Sequence, residues 1–221
     1  MSGLNTISAD DLVNMHDHIC DTLRIEVAYA RDDNFLFGER IYKPDAQLFL
    51  YKDLADIVLE ASESLKAQGF TLVLYDGLRT ADAQARMLET QRVKDNPHWL
   101  EEPRLLSPPG KGAHPRGMAI DCSLETAKGE LLDMGTAFDY LAEDASAQAN
   151  PAHREYVALS EQIRQNRAIL DNAFDQAAEK LRIPIFPLPQ EWWDFRLPPL
   201  FTERFAPLND ADLPEAMRMT D

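Results

Sequence analysis

The sequence predicts an α+β fold built on a central, mainly antiparallel sheet flanked by helices. Three features carry that reading. Short β-prone runs are interleaved with helical ones. Several of those runs are amphipathic rather than continuously apolar, which suits a sheet with one covered face better than a doubly wound parallel sheet. No repeat or linker-like segment interrupts them. With 221 residues, 45% of them hydrophobic, the chain can bury a substantial core, and one domain over residues 1–221 is expected.

Residues 1–21 are polar and include His16 and His18. Leu23 to Tyr29 alternates apolar and polar positions, as a strand with one wet face does. From Leu48 to Lys66 the residues Leu50, Leu54, Ile57, Val58 and Leu65 recur at helical spacing, with Gly69 as terminator. Phe70–Tyr75 is a compact strand closed by Asp76 and Gly77, and Thr80 caps a helix running to about Lys94. The proline-rich stretch 95–112 reads as loop. Met118–Ser123 resumes an extended pattern. Residues 154–182 lack Gly and Pro and carry a stripe of Leu159, Ile163, Ile169, Leu170, Phe174, Ala177 and Leu181, so a long helix is expected there. The last twenty residues read as a wrapping tail.

Composition narrows the function. The chain has 22 basic against 38 acidic residues, a net charge of −16. Such a field repels phosphate backbones, and without a basic patch nucleic acid is excluded as a partner. The acidity serves solubility or steers a cationic substrate. Two cysteines, Cys20 and Cys122, make neither a disulfide framework nor a Cys-rich zinc site. The opening Met-Ser-Gly-Leu-Asn-Thr-Ile-Ser does not read as a signal peptide, and no window approaches a membrane span. A cytoplasmic protein with no membrane partner is the expectation.

Three segments carry chemistry. In Gly112-Ala-His-Pro-Arg-Gly-Met-Ala-Ile-Asp121, an imidazole and a carboxylate flank a turn that enters an apolar run. A bare Asp121 there would be costly to bury, and a cation would offset the cost. The plainer reading is a surface histidine and a strand-end aspartate. In Gln190-Glu-Trp-Trp-Asp-Phe195, Glu191 and Asp194 share one side if the segment turns, between apolar Trp192 and Trp193 walls. Solvated acids around two core tryptophans are the alternative. In Tyr75-Asp-Gly-Leu-Arg-Thr80, Arg79 either reaches a pocket to bind a carboxylate or oxyanion, or forms a salt bridge with Asp76 or Asp82. Together the segments could hold one divalent metal with a general base beside it.

These residues resemble the D-alanyl-D-alanine dipeptidase family of small zinc dipeptidases, which are related more distantly to D,D-carboxypeptidases. The likeness runs through Val27–Phe35, Tyr75–Arg79, His114–Asp121, Met134–Asp139, Asn166–Leu170 and Glu191–Phe195. It implies an α+β fold, one catalytic zinc bound at His114 and Asp121, Glu191 as general base and Arg79 steadying the transition state. It also implies cleavage of D-Ala-D-Ala, with the substrate's free amine and carboxylate recognised.

The chain departs from that family at three places. Asp194 stands where the family has a third metal-ligand histidine, Gly112 where it has a substrate-binding serine, and Leu78-Arg79-Thr80 where it reads Tyr-Arg-Pro. Metal ligation by His114, Asp121 and Asp194 would be richer in oxygen and charge, admitting manganese or iron beside zinc. The changes leave three outcomes: a working hydrolase with altered metal, a site completed by His16, His18, His98 or His153, or a degenerate site. The leading expectation is a metal-dependent dipeptidase acting on a short peptide. The alternative is a member with altered or lost peptidase activity, a binding protein or an enzyme of different chemistry on an amino-acid-like molecule.

Overall fold

A computed structural model describes residues 3–101 and 105–221. Five strands form the central sheet: β2 (Leu23–Ile25), β4 (Phe70–Asp76), β5 (Ala119–Thr126), β7 (Asp194–Arg196) and β6 (Phe186–Pro187), in that spatial order. Only β2 with β4 is parallel; the other neighbours run antiparallel. A separate pair joins β1 (Leu12–Asn14) to β3 (Phe49–Tyr51). The helices are α1 (Lys52–Lys66), α2 (Ala81–Leu88), α3 (Gln91–Asp95), α4 (Glu161–Leu181) and α5 (Pro199–Thr202). The expected α+β architecture is the one observed.

Several boundaries move for local reasons. The helix expected from Leu48 begins at Lys52, because Phe49–Tyr51 pairs with β1 and its apolar residues serve a strand first. The helix expected over 80–94 breaks in two: Thr80 caps α2 by accepting from the Ala83 amide, and Thr90 caps α3 by accepting from that of Val93. The long helix starts at Glu161 behind a Ser160 cap, so residues 154–160 are turn. β2 stops at Ile25, and Ala28–Ala30 is a turn of 3-10 helix. Of the proline-rich stretch, residues 102–104 lie outside the described residues. The tail does wrap, burying Leu208, Leu213 and Met219.

The two faces of β5 have different work. Ile120, Cys122 and Leu124 alternate onto one face and are fully buried. That face meets the helices: Phe174 of α4 stacks on Phe195, the register partner of Ile120, at 4.0 Å between ring centroids. Asp121, Ser123 and Glu125 take the other face. The functional site lies on that side, at the end where β5 begins.

Candidate active site

Three aspartates lie side by side across three strands. The register sets Asp76 of β4 opposite Asp121 of β5, and Asp121 opposite Asp194 of β7. A bulge makes this possible. Leu74 pairs with Cys122 and Asp76 with Asp121, so β4 advances two residues while β5 advances one. The extra residue turns Asp76 from the face of Leu72 and Leu74 onto that of Asp121. Like charges directly opposed weaken a sheet, and these three carboxylates are 1%, 2% and 0% exposed. Such a row stands only if cations answer it.

Three cationic side chains do so. Arg79 donates from Nε (2.9 Å) and Nη2 (2.6 Å) to Asp76 Oδ2 and lies 3.6 Å from Asp121 Oδ2. Its guanidinium also rests over the Tyr29 ring, 5.1 Å from the centroid. Arg196 donates to both oxygens of Asp194, from Nε at 2.7 Å and from Nη2 by a shorter contact. Two residues apart on β7, they share a face and meet as neighbours. Between them stands His114, on a 3-10 turn (His114–Arg116) ended by Gly117 at φ 63°, in the left-handed region. Its Nδ1 is 2.8 Å from the Gly77 carbonyl, which leaves Nε2 facing Asp121 Oδ1 at 3.5 Å and Asp194 Oδ2 at 3.4 Å. Gly77 must be glycine: a Cβ there would come within 2.7 Å of the Phe49 carbonyl oxygen.

Burial and charge set the proton affinities. Burial and the Arg79 charge depress the His114 imidazole, but Asp121 and Asp194 outweigh both and raise it to about 10. Asp121 is pushed up to about 6 by burial, against the pull of His114. Burial also penalises Asp194, yet Arg196 and His114 hold it well below the usual carboxylate range. Glu191 is lifted to about 7 by burial and then by the charges of Asp194 and Asp121.

These groups line one cavity of about 280 Å³, with Tyr29, Asp139, Trp193 and Glu191 on its walls. The turn expected at Glu191–Asp194 is present, closed by the Asp194 amide donating to the Glu191 carbonyl at 3.3 Å. Trp193 forms a wall, whereas Trp192 turns away and donates from Nε1 to Thr136 Oγ1 at 2.8 Å. Asp139, at φ 61°, accepts the Tyr29 hydroxyl on both oxygens (3.0 and 2.9 Å), and burial pushes its carboxyl well up. At Gly112 a side chain would meet the Ser107 hydroxyl, 3.9 Å from its Cβ.

The structure thus gathers all five expected site residues, His114, Asp121, Asp194, Glu191 and Arg79, at one cavity. Arg79 bridges to Asp76 and also lines the cavity. His16, His18, His98 and His153 do not line it. His16 Nδ1 accepts the Leu48 amide and His153 Nδ1 that of Glu155. Sequence reasoning treated Asp76 only as a salt-bridge partner and missed Asp139 and Arg196 as cavity residues. The Asp-x-Arg spacing on β7 was the available signal for the last.

A divalent metal fits this donor set. Asp121 Oδ1 is the one buried side-chain oxygen or nitrogen among the described residues with no hydrogen-bond partner, and it faces His114 Nε2. Metal bonds of about 2.0–2.2 Å place tetrahedral ligand atoms about 3.3–3.6 Å apart, the separation seen from Nε2 to both Asp121 and Asp194. Among the described residues, the buried group whose ligand atoms all lie within 4.8 Å of one another is Asp76, His114 and Asp121, without Asp194. Asp76, however, is already engaged by the Tyr42 hydroxyl at 2.7 Å on one oxygen and by Arg79 on the other. Asp194 is engaged in the same way, with both oxygens held by Arg196.

A family profile described as D-ala-D-ala dipeptidase, peptidase family M15, matches residues 9–207. The chain belongs to this family. It is a hydrolase by that membership, with a buried group of Asp76, His114 and Asp121 able to hold a metal. The D-alanyl-D-alanine dipeptidase of Escherichia coli K12 is 30% identical over 189 residues, covering 83% of this chain and 86% of that protein. The enzyme of the same name from Enterococcus faecium is 29% identical over 194 residues, 82% and 89% of the two chains. The crystal structure of Serratia marcescens L-Ala D-Glu endopeptidase aligns over 67% of this chain and 80% of its own. At 15% identity and a TM-score of 0.39, that likeness carries no weight. Among the described residues no helix is long and apolar enough to cross a membrane.

Proposed function

We propose that this family member hydrolyses a very short peptide, D-alanyl-D-alanine or a close analogue, using one divalent metal held by His114, Asp121 and Asp194. The observation that carries this reading is Asp121 Oδ1: buried, without a hydrogen bond, and 3.5 Å from His114 Nε2, which also faces Asp194 Oδ2 at 3.4 Å. Zinc suits the mixed donor set, and its two carboxylates also admit manganese or iron. When bound, the metal supplies Lewis acidity, acidifying water and polarising the scissile carbonyl.

The chain's own residues do the rest. Glu191, lifted to about 7, is poised to take a proton from the attacking water and return it to the leaving amine. Arg79, locked in place by Asp76, presents a guanidinium where oxyanion charge develops. Asp139 has only a neutral hydroxyl as donor among the described residues, so a substrate ammonium is the partner it lacks. Ser107 restores near Gly112 the hydroxyl that the family carries on a serine. Trp193 excludes water, and the small cavity suits a dipeptide better than a longer chain.

Metal-stripped protein reconstituted separately with zinc, manganese and iron should hydrolyse D-Ala-D-Ala with at least one of them. No turnover with any metal on any tested dipeptide sinks the reading. One contact favours the second reading, a binding protein without peptidase activity: Asp194 is already clamped by Arg196. Asp194→His separates the two, since strong activity appearing only in that variant would mark the native site as impaired.

A further inference from the structure

We propose that Arg196 is a built-in counter-cation that competes with the divalent metal for Asp194, so that the centre binds its metal weakly and exchangeably. The inference rests on the metal site proposed above and concerns a residue that site does not itself require.

A carboxylate in place of a neutral imidazole adds one negative charge to a row that already holds Asp76 and Asp121. Arg196 cancels it: the Asp194–Arg196 pair is neutral as a unit. The guanidinium takes both oxygens of Asp194, including Oδ2, the oxygen that faces His114 Nε2 at 3.4 Å. The very atom a metal would use is therefore engaged by a charged donor. Asp194 is 0% exposed and Arg196 17% in its side chain, so solvent screens their attraction little.

The contrast with Asp121 is direct. Its Oδ1 is buried without a hydrogen bond, 3.5 Å from His114 Nε2, and a metal arriving there relieves a cost the fold already bears. At Asp194 that cost has been met from within the chain, and a metal must share or displace a guanidinium and approach a positive charge. A displaced guanidinium has somewhere to go. Arg196 also borders a second cavity of about 390 Å³, on whose wall stands Glu203.

The sign of one measurement decides the matter. An ordinary orienting partner of a metal ligand costs about 10–100-fold in metal affinity when removed. A competitor does the reverse. Zinc and manganese dissociation constants would be measured by chelator competition for the wild type, Arg196→Gln, Asp194→Asn and the double variant, with melting temperatures recorded in each case with and without metal. Arg196→Gln should bind metal at least about tenfold more tightly. Its metal-free form should melt lower, because buried Asp194 loses its two-pronged cation and keeps His114 alone of the two, and metal should raise its melting point more than it does for the wild type. In the Asp194→Asn background the gain from removing Arg196 should vanish.

Unchanged or weaker binding in Arg196→Gln overturns the proposal while leaving the metal site standing. Failure of every variant to bind either ion overturns both. Should Arg196→Gln not fold, Arg196→Lys decides: it keeps the charge but loses the two-pronged grip, and should bind about threefold more tightly. Equal or weaker binding there counts against the competition.

Discussion

Two stretches of the same strand pair obey opposite rules. Toward one end of β4 and β5, Leu72 opposes Leu124 and Leu74 opposes Cys122, all buried at 0% exposure. Those rungs hold because each removes apolar surface from water. The next rung opposes Asp76 to Asp121, continued by Asp194 on β7, and by itself it opposes folding. Only Arg79, His114 and Arg196 make it tolerable. Proteins break the rules of stable sheets where function needs it and compensate nearby, so the aspartate rung marks the candidate active site more clearly than any single motif.

That contrast can be broken from either side. The largest expected effect is on turnover: Glu191→Gln should lower kcat by about 10²–10⁴-fold, the usual worth of a general base, while metal affinity and melting temperature stay near wild type. Equal turnover in the two proteins would remove Glu191 from the chemistry. On the apolar rungs, Leu124→Ala should cost about 2–5 kcal/mol of stability, read by denaturant unfolding, with metal affinity preserved in the folded fraction.

A pH series sharpens the comparison further. His114 is raised from its ordinary 6.5 to about 10 by the two carboxylates, so the folded state binds its proton more tightly than the unfolded state does. The metal-free protein should hold that stability below pH 6.5 and lose it as the pH rises toward 10. A metal on Nε2 replaces that proton, and saturating zinc should flatten the decline. A decline identical with and without zinc would argue against metal at His114. Smallest of the four, Asp121→Asn removes the middle charge of the row. It should raise metal-free stability by about 1–2 kcal/mol, because burial disfavours the charge that Asn lacks, and abolish metal binding. Lower metal-free stability would mean that the row is held by attraction rather than merely tolerated.

Much of this was legible in the chain. The helical stripe that became α4 and the apolar run 70–75 needed only local periodicity, because a helix or strand must bury its apolar side whatever it meets. Arg79, His114, Asp121 and Glu191 were readable because their residue types, in that order, resemble one family's site, and Asp194 because it departs from it. The shift of the first long helix to Lys52 was not readable: Phe49–Tyr51 fits a helix period equally well, and only its partner β1 decides for strand. Nor was Asp139, an acid in an irregular loop whose value comes from the Tyr29 hydroxyl and the cavity around it.

The sequence by itself determined which side chains are available to hold a metal and move a proton, since those capacities belong to the residues. Tertiary structure alone decided how their charges are shared. Strict alternation puts Asp76 on the face of Leu72 and Leu74, and one bulge turns it toward Asp121. Asp194 and Arg196 are two letters apart in any chain, but only a strand holding both on one buried face pairs the arginine with the carboxylate. Electrostatic strength depends on distance and on water, and neither exists until the sheet has closed.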